Sequence, residues 1–148
     1  MTSLTRTESQ IEHEEGVIKA FFLRDKQERF LGFLSNPKNR RKLTQELSHF
    51  RWFDQRFATP LPWKVDPTLK LAERHAQGID NIVRLLKSKG AQQTCWVISE
   101  DVALDGKELN LENALERVIG LDMGTILSCV PARLAIFAGE DETLLLGK

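Results

Sequence analysis

Cysteine and histidine are scarce in this sequence, with two and three copies among 148 residues. Cys95 and Cys129 both fall in apolar, strand-like runs, where a reduced cysteine behaves as a small hydrophobe. In a reducing compartment they read as buried hydrophobes, and no disulfide framework is implied. His13, His49 and His75 are scattered, and neither a Cys-x-x-Cys nor a His-Glu-x-x-His pattern occurs. No metal and no cofactor are expected.

Net charge is also missing: 21 basic residues balance 21 acidic ones. A chain without a net positive field gains little long-range attraction to nucleic acid or anionic lipid, so either partner would need a local patch. The polar first ten residues hold no apolar core of the signal-peptide kind. No apolar run reaches the roughly 20 residues of a membrane helix; the longest, 125–138, is interrupted by Ser128, Pro131 and Arg133. These absences point to a soluble, cytoplasmic protein.

What is present suits a globular domain, with 41% apolar and 28% charged residues. The length fits one α+β domain over 1–148, with residues 1–7 expected to be disordered. Thr7 and Gln10 form a capping-box pattern that opens a helical stretch over 8–34, as one helix or two. Asn36-Pro37 and Asp66-Pro67 read as helix starts. The first is followed by Leu43, Leu47 and Phe50 on one face. The second is followed by a stripe from Leu69 to Leu86, closed by Gly90 as a left-handed cap. Pro60, Pro62 and Trp63 mark an irregular connection.

The last third reads as strands around one helix. The run 94–99 is apolar on both alternating faces, which suits a strand covered on both sides. A turn at Asp105-Gly106 and a helix capped by Asn110 and closed by Gly120 follow. Strands then span 125–130, 133–138 and 143–146. Strand, helix, strand predicts a crossover between parallel neighbours. The expected architecture is thus a helical N-terminal two-thirds packed on a small mixed sheet of about four strands, with one crossover helix.

If the first two of these strands are parallel, their carboxyl ends share one edge, where open parallel sheets tend to bind ligands. Ser99, Glu100, Ser128, Cys129 and Arg133 are then delivered together as candidate catalytic residues. A cysteine nucleophile needs a base or a positive field nearby. None is close in sequence to Cys129, so burial in a strand is the competing reading. A nucleotide site is disfavoured, because the loop 100–106 carries three carboxylates and no glycine-rich cradle.

Charge is segregated. Residues 24–42 hold seven basic residues against two acids, and 100–122 hold seven acids against two basic residues. Arg40, Arg41 and Lys42 are candidate nucleic-acid contacts, with Trp52 or Phe53 available for stacking. A solvated helix face, with Lys42 paired to Glu46, is the alternative. The two segments could also meet each other, within the fold or across a dimer. His49 and Asp54 are the first place to look for an acid/base pair, although Asp54 is more simply paired with Arg51 or Arg56.

The expectation on balance is a non-catalytic protein-binding or regulatory module that acts through a protein partner or self-association. The alternatives are a small enzyme or small-ligand-binding domain with a polar site at the sheet edge, and nucleic-acid binding through 38–42.

Overall fold

The Thr7 hydroxyl accepts from the Gln10 amide at 3.1 Å and opens helix α1, Glu8–Phe21. Gln10 turns its own side chain to Glu14 and does not close the box. Arg6 donates to Glu14 at 2.8 Å. The computed structural model describes residues 6–48, 52–61, 65–119, 123–139 and 142–148. His49, Phe50, Arg51, Pro62, Trp63 and Gly120 lie outside them.

The 8–34 stretch is two helices. It breaks at Phe22 and Leu23, where Phe22 leaves the helix to bridge Phe53, and α2 runs over Arg24–Leu34. After Asn36-Pro37 the chain makes a turn before α3, Arg40–Gln45, so the helix starts later than the proline suggests. Strand β1, Ala58–Pro60, ends on a proline, which an edge strand tolerates because it needs no further amide. Helix α4, Leu71–Ser88, also begins after its Asp-Pro signal. It closes as expected: Gly90 takes φ +108°, its amide reaches Lys87 O, and the Ala91 amide reaches Leu86 O.

The remaining elements are β2 (Thr94–Ser99), β3 (Glu108–Asn110), α5 (Leu111–Val118), β4 (Thr125–Val130), β5 (Leu134–Ala138) and β6 (Thr143–Gly147). The class is mixed helix and sheet, but the sheet departs from the expectation of four mixed strands. Among the described residues it has six strands, in the order β1-β6-β5-β4-β2-β3. Every pairing is antiparallel.

The parallel crossover is therefore incorrect, and β3 is the reason. After β2 the chain folds straight back, pairing Cys95 with Leu109 and Thr94 with Asn110. That brings it to the end where β2 began. Helix α5 then crosses the sheet again, so β4 starts beside the end of β2, Thr125 against Ser99. One extra traverse reverses the direction of everything that follows.

Successive strand residues face opposite sides, and each side has its own core. Ile98, Ile126, Phe137, Leu144 and Leu146 pack with Val17, Ile18, Phe21 and Phe30 of α1 and α2. Val97, Leu127, Leu134 and Ile136 pack with Ile79, Leu86, Leu111 and Leu115 of α4 and α5. The result is three layers, helices on both faces of an antiparallel sheet. The α4 and α5 layer thins out at one side. On β6, Leu144 and Leu146 are buried against the first core, whereas Thr143, Leu145 and Gly147 on the opposite face are only half-buried.

Candidate functional site

Antiparallel pairing takes the predicted rim apart. Ser99 and Glu100 leave β2 at one end of the sheet, whereas Trp96 stands opposite Ser128, so Ser128, Cys129 and Arg133 belong to the other end. The five residues form no common pocket.

Their individual surroundings are also closed. The Ser99 hydroxyl is buried, 2.7 Å from the Thr125 hydroxyl, and accepts from the Asp101 amide. The main-chain oxygen of Glu100 accepts from Arg41 at 3.1 Å. Ser128 is buried beneath α1 with its oxygen 2.7 Å from His13 Nδ1. A serine–histidine contact is the start of a nucleophile's equipment, but a hydroxyl with no exposed surface offers no path for a substrate.

Cys129 is 4% exposed, and burial pushes its thiol up to about 12. Cys95 is pushed up as well, by burial first and then by Cys129 and Glu108. Neither thiol forms the reactive thiolate near neutrality. We expect both to react with a disulfide reagent at pH 8 at least about a hundredfold more slowly in the native protein than in guanidinium. Native labelling at the denatured rate would contradict this placement.

His13 carries a second expectation. Burial lowers its pKa from the ordinary 6.5, opposed by Glu12, Glu108 and Glu14, which would raise it. A histidine lowered on folding stabilises the fold fully above its unfolded value, and this contribution fades as pH falls below about 6.5. Stability measured by denaturant from pH 7 to 5 should decline, and His13→Gln should flatten the decline. An equal slope in the variant would rule out His13 as its source.

The charge-segregated segments meet inside the fold. Arg40 sends two bonds to Glu14, at 2.8 and 2.6 Å, and two to Asp105, at 2.7 and 2.9 Å. Asp105 also accepts from the Ser99 amide. Glu14 is fully buried and Arg40 is 15% exposed. Burial alone would disfavour the Arg40 charge, but the two carboxylates more than offset it and raise its pKa. The network fastens α1, α3 and the β2–β3 loop together.

This also bears on the basic segment. Arg40 is spent on Glu14 and Asp105, and Arg41 donates to Glu100 O and Thr44. Glu46 pairs with Arg29 at 2.6 Å, not with Lys42 as expected. Asp54 is held by Arg56 at 2.7 Å, the simpler of the two readings for it.

A different feature gathers positive charge. At the end of the sheet that carries Arg133 lies a cavity of about 520 Å³. Its lining includes Val130, Leu134, Leu145 and Gly147 from β4, β5 and β6, Thr59 from β1 and Gly90 from the cap of α4. Four cationic side chains, Arg56, Lys89, Arg133 and Lys148, complete it, and among the described residues no aspartate or glutamate side chain lines it. Arg56 and Lys148 lie against the Phe57 ring, at 5.2 and 4.6 Å from its centre. The nearest counter-charge described is Asp54, which binds Arg56 and whose carboxyl is lowered by that bond. Lys148 also acts on Asp54 through space, whereas Lys89 and Arg133 form no ion pair among the described residues.

The basin sits where the α4 and α5 layer gives way to the half-covered face of β6. A Cβ added at Gly147 would meet nothing within 4 Å, so the missing side chain is part of the space. Of its charged residues only Arg133 is a site candidate from sequence, as part of the Ser99–Cys129 rim. Arg56, Lys89 and Lys148 are far apart in the chain, and only the sheet order unites them.

Among the described residues no group of three metal-ligating side chains forms, and no helix is long and apolar enough to cross a membrane. No protein-family model, curated protein or solved structure matches this chain.

Proposed function

We propose that this protein is a non-catalytic binding module that takes an anionic ligand in the basin of Arg56, Lys89, Arg133 and Lys148. The reading rests on one observation: four cations line a single cavity with no aspartate or glutamate side chain among its described lining residues. The volume of about 520 Å³ falls in the range of small-molecule sites, roughly 300–1,000 Å³. All four cations are exposed, and like charges gathered around one depression create a local positive potential that an anion relieves. The closed surroundings of Ser99, Ser128 and Cys129 favour binding over chemistry.

This keeps the small-ligand alternative and moves it from the Ser99–Cys129 rim to the basin. A regulatory role through a protein partner remains compatible with it, with the ligand as the signal. The segregated charges argue less for self-association, because Arg40 and Asp105 satisfy each other within one chain.

Titration with inorganic pyrophosphate at low salt tests the proposal. Pyrophosphate is expected to raise the melting temperature of the native protein, in proportion to ln(1 + [L]/Kd). The Lys89→Ala, Arg133→Ala double variant should lose most of that rise, and added salt should weaken it. An equal rise in wild type and variant, or none in wild type, would sink the proposal.

A further inference from the structure

Resting on that reading, we infer that the ligand is a small organic phosphate, an apolar body carrying a phosphate group, and not a bare oxyanion or a carboxylate. The basin has two chemical halves. One is cationic: Arg133, Lys89 and Lys148, with Arg56 partly neutralised by Asp54. The other is apolar: Val130, Leu134 and Leu145, widened by the absent side chain of Gly147.

The cationic half selects phosphate. Its charges come from separate elements: the turn before β5, the cap of α4, the end of β6 and the turn before β1. Donors arriving from several directions suit a tetrahedral group with about two negative charges and three acceptor oxygens. A carboxylate carries one charge in one plane and is matched by a single guanidinium fork, so it would leave the remaining cations uncompensated.

The apolar half selects the body. A bare phosphate would touch only the cationic half and leave the half-buried Val130 and Leu145 in contact with water. An apolar group placed there removes that surface from water at the same time as the ion pairs form. The cavity's concave shape favours a compact small molecule over a polymer lying across the surface.

The test uses three probes on the full chain at low salt: inorganic phosphate, phenyl phosphate and benzoate, with Kd measured by calorimetry. Phenyl phosphate is expected to bind at least about tenfold more tightly than phosphate, and also more tightly than benzoate. Gly147→Val puts a branched side chain into the open floor at a strand position that accepts it, and should bring the phenyl phosphate to phosphate ratio close to one. The circular dichroism spectrum of the variant reports that it is folded.

If phenyl phosphate binds no better than phosphate, the apolar half is idle and the inference fails while the anion-binding reading stands. If benzoate equals phenyl phosphate, the class is carboxylate and the inference again fails. An unchanged ratio in Gly147→Val places the phenyl group elsewhere and overturns it too. Should none of the three bind, the inference and the reading beneath it fall together.

Discussion

Arg40→Ala is expected to lower folding stability by about 3–5 kcal/mol, the cost of breaking a buried ion pair from one side. The size follows from what the substitution leaves behind. Glu14 has no exposed surface, and Asp105 is only 10% exposed. Arg40 supplies two hydrogen bonds to each. Arg6 and Gln10 still reach Glu14, so that carboxylate keeps some compensation, whereas Asp105 retains only main-chain help such as the Ser99 amide. Arg40→Lys should rescue little, because one ammonium cannot present a planar fork to two carboxylates at once. Denaturant unfolding measures the effect. A loss of about 1 kcal/mol or less would mean that the network behaves as a surface ion pair.

Gly124→Ala is expected to cost about 3 kcal/mol, at the upper end for overpacking. Gly124 is buried, and a Cβ there would stand 2.4 Å from the carbonyl oxygen of Leu47 and 2.5 Å from its carbon. Those are main-chain atoms, so no side chain can swing aside; either the 46–48 turn or the start of β4 must shift. Leu47 and the neighbouring Ile126 both belong to the first core, so a shift opens packing there. The same substitution at Gly32 supplies the contrast. Gly32 lies in the exposed face of α2 with nothing within 4 Å, and Gly32→Ala should stabilise by about 0.5–1 kcal/mol. Equal effects at the two glycines would show that steric room is not what separates them.

The parts of this fold that are readable from sequence are those set by neighbours along the chain. Thr7 caps α1, Gly90 ends α4, Asn110 caps α5 by accepting from the Asn113 amide, and the doubly apolar run of β2 is covered on both faces. What escapes is structure too short for a pattern. Strand β3 contributes only Glu108, Leu109 and Asn110, too few to alternate visibly, yet it decides the direction of β4 and with it the location of any site. Strand β1 is equally short and ends on Pro60, a residue that ordinarily argues against a strand.

The candidate site shows the same limit from the other side. Arg133 stands out in sequence because it sits at the turn between two apolar strands. Lys89 reads as a favourable charge at a helix end and Arg56 as a partner for Asp54. Each has a sufficient local explanation. Only the order β1-β6-β5-β4, which puts the beginning of the sheet beside its last strand, brings the four to one cavity.

The two margins of the sheet, β1 and β3, have one further consequence. Unpaired strand margins are templates on which other chains can add and grow into fibrils. Here each offers three residues; one stops at Pro60, and the other runs directly into α5. A second molecule could gain few main-chain bonds at either margin, so this protein should resist ordered polymerisation as long as its outer strands stay in place.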